Sequence, residues 1–402
     1  MLLYLGPGGG FAIVVGFLAV LAGTVVGFGA LLLQPIAWLV RRWRARRPER
    51  RRLFRRVVVL GMDGLDPDLL SEFLAAGDLP HFARLAARGT FRRLATTIPA
   101  VSPVAWSSFQ TGTNPGKHRM FDFLRRRRHD YGIELASMRI DPPRRRLRLG
   151  RVSIPIGRPR VTLHRASRPF WSVLSDYGIH SQVLNVPITF PPERFFGLCL
   201  AGMDVPDLRG TMGTFTYFTD DPAVPRRPIG GEVHDVARHG SEIRGRIPGP
   251  PDPLDRRPPR ELGLDWRLVP DPSGRRARLG TGPERVDLEV GRWTDWVPLD
   301  FRAAPGLSVR GMVRFLLVSL EPSFRLYVSP IHVDPLRPVL PIARPILYGV
   351  SLALRHGRFP TLGMAEDTWA ANHGLVDRER FLEETRTFRE AHGRIFEDAV
   401  GR

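Results

Sequence analysis

Asp63 and Ser102 are the two residues whose types and surroundings most clearly suggest chemistry. Asp63 follows the apolar run 57–62, which predicts a buried strand, and Ser102 precedes Pro103 at the predicted start of a helix. Open α/β sheets collect ligand sites at the carboxyl ends of their strands, and a helix N-terminus attracts anions. A carboxylate and a hydroxyl at such an edge indicate metal-assisted chemistry on a phosphate ester.

Each of these residues also has a purely structural interpretation. A Ser-Pro pair is common at the start of a helix, where serine caps the helix and proline occupies the first turn. Asp63 would serve equally well as a turn or capping carboxylate. Taken alone, Ser102 is more typical of a helix cap than of a nucleophile. A catalytic role therefore has to be supported by the surrounding sequence.

The elements that would position these residues follow an α/β pattern from Val57 onward. Asp66 and Pro67 predict the N-cap and first turn of a helix that Gly77 ends. Helices and apolar strands continue to alternate, which predicts a parallel or mixed sheet covered by helices. The further predicted elements are a helix over 79–89, a strand over 91–99, a helix over 102–112, a helix over 170–178, a strand over 180–188 and a C-terminal helix.

Composition changes over residues 204–330, which we interpret as an insertion. Segment 221–284 is rich in Pro, Arg and Gly and predicts loop or linker, whereas 285–331 carries β-branched and aromatic residues typical of strands. The sequence therefore predicts a mostly β subdomain beside the sheet. The predicted divisions are a tail and transmembrane helix (1–40), an Arg-rich linker (41–56), the first part of the core (57–203), the insertion (204–330) and a return to the core (331–402).

The first forty residues contain no charged side chain. Within them, residues 11–33 are long enough to cross a hydrocarbon core of roughly 30 Å. The Arg-rich segment 41–56 follows, where it would bind anionic lipid headgroups, and the positive-inside rule places the rest of the chain in the cytoplasm. The sequence predicts a single-pass membrane protein, with a periplasmic or extracellular location of the soluble part as the alternative.

Charge and cysteine content exclude some function classes. The 402 residues carry a net charge of +20, but Lys117 is the only lysine. Such a preference for arginine is typical of a GC-rich genome, so we do not predict a nucleic-acid partner from the basic charge. Cys199 is the only cysteine, which excludes an internal disulfide framework and a cysteine-based zinc cluster. We interpret it as a small buried apolar residue.

A family resemblance connects Asp63 with Ser102. Residues 59–123, from VLGMDGL to FDF, resemble the opening of the type I phosphodiesterase and nucleotide pyrophosphatase family of the alkaline phosphatase superfamily. Stretches similar to a bacterial branch of that family follow: VPITFPPE (186–193), GMDVPDLRGTMGTF (202–215), LYVSPI (326–331) and TLGMAEDTWAAN (361–372). The resemblance implies a three-layer α/β/α core and two divalent metal ions, commonly zinc, with manganese or magnesium as alternatives. It implies that Asp63 binds metal and that Ser102 is the metal-bound nucleophile.

The same resemblance implies further metal ligands that the sequence does not supply in the expected form. The family completes its site with an Asp-x-x-x-His pair, an Asp-His-Gly run and another histidine, and no Asp-His-Gly occurs here. We interpret the residues that imitate these patterns as structural or coincidental. They are the spacings Asp176/His180 and Asp235/His239, the run Asn372-His373-Gly374, His118 in the loop after the nucleophile helix, and His332 with Asp334.

These features lead to a predicted function with alternatives. We predict a metal-dependent phosphodiesterase or nucleotide pyrophosphatase-like hydrolase that acts on a phosphoryl ester through Ser102. The shortage of ligands favours a chain truncated at its C-terminus; a degenerate relative and a site completed by a separate polypeptide are the alternatives. Two other functions stay open. One is a catalytically silent, membrane-tethered scaffold or binding protein, and the other is a lipid-directed phosphoryl transferase.

Overall fold

The computed structural model describes residues 54–127, 130–141, 143, 145–149, 152–156, 159–254 and 260–401. The helices of this described part are α1 (Pro67–Ala76), α2 (Pro80–Arg88), α3 (Ser102–Thr111), α4 (Pro115–His118), α5 (Phe170–Asp176), α6 (Ile346–His356), α7 (Thr368–Asn372) and α8 (Arg378–Gly401). The strands up to residue 251 are β1 (Leu124–Arg126), β2 (Ile133–Leu135), β3 (Met138–Asp141), β4 (Arg145–Leu149), β5 (Val152–Ile156), β6 (Arg160–Leu163), β7 (Ser181–Val186), β8 (Gly197–Ala201), β9 (Phe215–Thr219), β10 (Gly231–Asp235), β11 (Arg238–His239) and β12 (Glu242–Pro251). The later strands are β13 (Glu261–Pro270), β14 (Arg276–Thr281), β15 (Glu284–Glu289), β16 (Val297–Ala304), β17 (Leu307–Val313), β18 (Phe315–Ser319), β19 (Arg325–Val328), β20 (His332–Val333) and β21 (Ala343–Arg344).

Helix α1 forms as the sequence predicts. The Oδ1 atom of Asp66 accepts hydrogen bonds from the backbone N–H groups of Asp68 at 2.7 Å and Leu69 at 3.1 Å. These bonds satisfy donors that every helix leaves free in its first turn. Gly77 ends the helix in the left-handed conformation, with φ of 82°. The predicted N-cap and C-terminal glycine are both confirmed.

The strands are distributed over several small sheets. A four-stranded sheet has the order β10-β9-β19-β18, a five-stranded sheet β11-β12-β13-β14-β15, and two three-stranded sheets β16-β17-β20 and β21-β8-β7. The pairs β1-β2, β3-β6 and β4-β5 form two-stranded sheets. Among these described strands, only β7 with β8 and β9 with β10 pair in parallel. Antiparallel pairing therefore dominates.

The five-stranded sheet shows how alternation builds the largest hydrophobic cluster. Along β13, Trp266 and Leu268 are buried, whereas the intervening Arg267 and the preceding Asp265 are exposed. Side chains of a strand point alternately to opposite faces, so one face packs into the core and the other meets water. Leu279 on the neighbouring strand β14 faces Leu268 directly and is also fully buried. The core of the described part therefore centres on the predicted insertion.

The predicted three-layer α/β/α fold is wrong for the described residues. The structure is a mixed arrangement of helices and strands with many small sheets. The runs 57–62 and 91–99, which were expected to be strands, belong to no helix or strand, and Val57 to Leu60 are exposed. The physical reason is that no other described strand pairs with these runs, so their apolar side chains have no sheet to join.

Part of the segment that composition predicted to be loop forms sheet instead. Strand β12 includes Pro248, Gly249, Pro250 and Pro251, and it pairs with β13 through a register shift between Pro248 and Pro251. A proline cannot donate a ladder hydrogen bond and is tolerated in a sheet mainly at edges and irregularities such as bulges. The shift lets the prolines occupy the end of a strand whose earlier residues pair in regular register with β13.

The predicted single-pass membrane localisation also has to be corrected. None of the helices in the described part of the chain combines the length and apolar character that crossing a membrane requires. The predicted span, residues 11–33, and most of the Arg-rich segment lie outside the described residues.

Candidate active site

Ser102 is the first residue of α3, but it does not cap that helix. The N-cap position is occupied by Val101, whose side chain makes no capping hydrogen bond. The backbone oxygen of Val101 accepts the N–H groups of Val104 and Ala105, each at 3.0 Å. The Ser102 hydroxyl makes no hydrogen bond to any of the described residues. The capping interpretation of Ser102 therefore does not apply, and its hydroxyl is available at the positive end of a helix.

Asp63 lies against the same helix through Trp106. The Nε1–H group of Trp106 donates to the Oδ1 atom of Asp63 at 3.1 Å. Trp106 is one turn after Ser102, so this bond places the exposed carboxylate of Asp63 beside the first turns of α3. Gly61 completes the contact, because a Cβ atom at this position would lie 2.3 Å from Cη2 of the indole ring. The predicted association of Asp63 with the start of this helix is thus present.

Helix α3 is fixed by its other face. Pro103, Val104, Ser107 and Gln110 are buried, and the side-chain amide of Gln110 donates to the backbone oxygen of Pro187. The buried Ser107 hydroxyl donates to the Pro103 oxygen at 2.6 Å, which satisfies it inside the helix. These contacts orient α3 against the loop that follows β7, so the position of Ser102 depends on packing far from its own side chain.

An aromatic row connects the exposed side of α3 to the next part of the fold. Ring centroids of Trp106 and Phe109 are 5.6 Å apart, and those of Phe109 and Phe170 are 5.6 Å apart in an edge-to-face arrangement. Phe170 continues to Trp171, with centroids 5.0 Å apart. Edge-to-face aromatic pairs contribute about 0.5–1.5 kcal/mol each beyond the burial of area. The row therefore holds the indole that contacts Asp63.

His118 stabilises the loop after α3. Its Nδ1 atom accepts the backbone N–H of Met120 at 3.1 Å, so its Nε2 carries the proton and donates to the Ser108 hydroxyl at 2.9 Å. Burial, followed by the charge of Arg165, lowers the pKa of His118. A neutral imidazole with both nitrogens engaged is a structural group, as the sequence suggested.

The other residues that imitate metal ligands also have structural partners. Asp176 pairs with Arg168 at 2.9 Å, and Asp235 pairs with Arg226 at 2.6 Å. Three of the histidines also contact nearby groups: His180 packs on Phe196, and His373 Nε2 accepts the N–H of Ile229 at 3.0 Å. His332 Nδ1 accepts two backbone N–H groups at 3.1 Å. Asp334 forms ion pairs with Arg310 and Arg358. None of these residues is brought to Asp63 by a contact within the described part.

The described residues do not fit a two-metal centre. Nowhere among them do three or more His, Cys, Asp or Glu side chains come together in a group that could hold a metal ion. Asp63 is a single exposed carboxylate whose Oδ1 already accepts a hydrogen bond from Trp106. Zinc sites need at least three good protein ligands, so Asp63 and Ser102 are too few to retain an ion.

Asp204 is a buried carboxyl group that the sequence analysis did not single out. It is 3% exposed, and its Oδ2 atom has no hydrogen-bond partner within the described residues. Burial raises the pKa of Asp204 to about 6, and a contact with Ser137 opposes that shift. Its backbone has φ of 86°, and a Cβ atom at Gly363 would lie 2.3 Å from its nitrogen. No local sequence pattern predicts this packing, because residue 363 lies far along the chain from Asp204.

Replacing Gly61 tests whether the contact with Trp106 matters to the fold. We expect Gly61→Ala to displace the indole and to lower the free energy of unfolding by about 1–3 kcal/mol, as overpacking typically does. The control is Gly393→Ala in α8, where open space surrounds the Cβ position, and this change should stabilise by about 0.5–1 kcal/mol. Urea unfolding and near-ultraviolet circular dichroism measure both. Equal effects of the two substitutions would contradict the Gly61 contact.

Comparison with known proteins agrees with part of this description. Residues 57–206 match the model of the type I phosphodiesterase / nucleotide pyrophosphatase family. Asp63, Ser102 and Asp204 all lie inside the matched region, which covers less than half of the chain. The family suggests a phosphoester hydrolase and is generally metal-dependent. No curated protein and no solved structure matches the chain.

Proposed function

We propose that this chain is a phosphoester hydrolase of the phosphodiesterase class and that Ser102 is its nucleophile. The observation that supports the proposal most directly is the Ser102 hydroxyl at the N-terminus of α3. Val101 occupies the N-cap position, so this hydroxyl does not cap the helix. The match of residues 57–206 to a phosphodiesterase family supplies the reaction class. Together the two observations support both the reacting group and the reaction class.

The proposed reaction has two steps that follow from the position of the hydroxyl. The Oγ atom of Ser102 attacks phosphorus, the bond from phosphorus to the leaving alkoxy group breaks, and a phosphoseryl ester forms with release of an alcohol. Water then attacks the phosphoseryl phosphorus and releases the phosphate product, which regenerates the serine. The helix end favours the negative charge of the phosphoryl group, and the Ser102 N–H is the donor nearest to it because Pro103 has none.

Asp63 is the proposed acidic residue of the same site. Its carboxylate contacts Trp106 on the helix that Ser102 begins, and in the family resemblance it occupies a metal-binding position. Metal binding by Asp63 would need further ligands, which could come from solvent, substrate or another polypeptide. The role of Asp63 as a metal ligand and the identity of the metal are therefore parts of the proposal.

A second candidate function is a catalytically silent binding protein. It is favoured by one observation, the lack of a metal-ligand group in the part of the chain that the structure describes. A degenerate family member would keep the scaffold around α3 and would lose turnover. This candidate predicts that neither added metal nor substitution at Ser102 changes a measured rate.

Turnover of a chromogenic phosphodiester tests the proposal against this second candidate. The full chain is treated with chelator and assayed with bis(p-nitrophenyl) phosphate, with and without added Zn²⁺ or Mn²⁺. We expect turnover that is lost in Asp63→Ala but retained in Asp78→Ala, which removes an exposed carboxylate at the end of α1. A rate that rises with added metal in the native chain but not in Asp63→Ala would support metal binding by Asp63. Absence of turnover under every condition would favour the silent binding protein.

A further inference from the structure

The run from Val57 to Leu60 is an exposed apolar segment that pairs with no other described strand. Val57 is 72% exposed, Val58 52%, Val59 58% and Leu60 60%. The run belongs to no helix or strand, and residues 57–62 make no backbone hydrogen bond to any other described residue. β-branched residues favour strands, and exposed backbone donors and acceptors beside them form a template for another strand. This combination marks a surface that another chain would cover.

We propose that the run pairs in antiparallel register with the same run of a second copy of this chain, about a two-fold axis through Val59. Charge complementarity supports this occupant. Arg55 lies four residues before Val59 and Asp63 lies four residues after it, so a register that sets Val59 against itself sets Arg55 opposite Asp63 of the partner subunit. Two-fold symmetry creates this opposite-charge pair twice, which an isologous interface requires.

The local contacts leave Arg55 and the apolar run accessible to a second copy. Arg56 is already engaged, because its guanidinium donates to the backbone oxygen of Val400, whereas Arg55 makes no ion pair within the described residues. Gly61 and Asp63 both contact Trp106, whereas Val59 is 58% exposed. The run before Gly61 is therefore accessible to a second strand.

The pairing would also bring a charge from one copy to the candidate active site of the other. Arg55 of the partner subunit would lie opposite Asp63, beside the first turns of α3. A guanidinium at that place can bind a phosphoryl oxygen or hold the carboxylate ionised. The proposal does not depend on catalysis, because association and turnover are measured separately.

A single introduced cysteine tests the register. Cys199 is the only native cysteine and is 1% exposed, so a new surface thiol dominates cross-linking. Directly opposed residues in an antiparallel pair have Cβ atoms about 4.5–5.5 Å apart, close to disulfide range. We expect Val59→Cys to form an intermolecular disulfide at least ~10-fold faster than Leu94→Cys, since pairing raises the local thiol concentration. Leu94 is 94% exposed and serves as the control.

Charge reversal provides the second measurement, by sedimentation of the full chain over a range of concentrations. We expect Arg55→Asp to weaken dimerisation, the double change Arg55→Asp with Asp63→Arg to restore it, and Arg88→Asp, another exposed arginine, to leave it unchanged. A monomeric native chain would overturn the proposal. So would equal cross-linking at positions 59 and 94, which would show that other segments, such as apolar residues 11–33, drive association.

Discussion

Ser102→Ala is expected to lower the rate of phosphodiester hydrolysis on the order of 10³-fold or more, with little change in stability. Removing the nucleophile of a covalent mechanism leaves only binding and electrostatic effects. The Ser102 hydroxyl makes no hydrogen bond to any described residue, so its removal breaks no hydrogen bond in this part of the fold. Steady-state turnover and urea unfolding of the same preparations separate the catalytic effect from the structural one.

The matched control for this substitution is Ser71→Ala. The Ser71 hydroxyl is exposed on α1 and donates only to the Pro67 oxygen at 2.7 Å, within its own helix. This variant should keep the native rate. Trapping a phosphorylated serine after acid quenching, and locating it at position 102 by mass spectrometry, would support the two-step reaction. A Ser102→Ala protein that retains the native rate would contradict the assignment of the nucleophile.

Asp204→Asn is expected to stabilise the protein above pH 6 and to flatten the dependence of stability on pH between about 4 and 6. The pKa of Asp204 rises from 3.8 to about 6 on folding because burial disfavours the ionised form. The folded state therefore holds this proton more strongly than the unfolded state, so stability falls as pH rises from the unfolded value through the folded one. A shift of this size corresponds to about 3 kcal/mol, fully lost near pH 7.

The measurement is the free energy of unfolding of both proteins between pH 4 and pH 8. The difference in the free energy of unfolding between the native protein and the variant separates the effect of Asp204 from that of other titrating groups. Asp207→Asn is the contrast: Asp207 is 1% exposed, but it accepts the N–H groups of Thr211 at 2.8 Å and Thr214 at 3.0 Å. Its substitution places an amide among donors and should destabilise at every pH. A native-minus-variant difference for Asp204 that is flat across this range would refute the burial argument.

Local signals predicted the helices of the first half well. Asp66 and Gly77 bound α1 because a side-chain cap and a left-handed glycine act within a few residues. The end of α3 at Gly112 follows from the same chemistry. By contrast, the run 57–62 was predicted as a strand from its apolar, β-branched composition, and it forms none. A strand needs a neighbour, and the sequence of a strand does not say whether that neighbour is present.

The candidate site could be predicted only in part, because some of its contacts join residues that are far apart in the sequence. The association of Asp63 with the helix of Ser102 was predicted from the expected edge of a sheet, yet the contact is made by Trp106 and Gly61. That indole was not predicted, because an aromatic residue one turn into a helix is typical of many packed helices. Asp204 was missed because it packs against residue 363, which lies far along the chain.

The outer face of the five-stranded sheet has an electrostatic consequence for the whole chain. Its arginines are matched across strands, as in the pairs Arg246–Asp265 at 2.8 Å and Arg278–Asp287 at 3.1 Å. The five strands of this sheet carry seven arginines and six carboxylates, whereas the whole chain carries a net charge of +20. The sheet is thus nearly neutral, although the chain as a whole is cationic. The excess positive charge of the chain, and any attraction of polyanions to it, therefore originates mainly in arginines that lie outside this sheet.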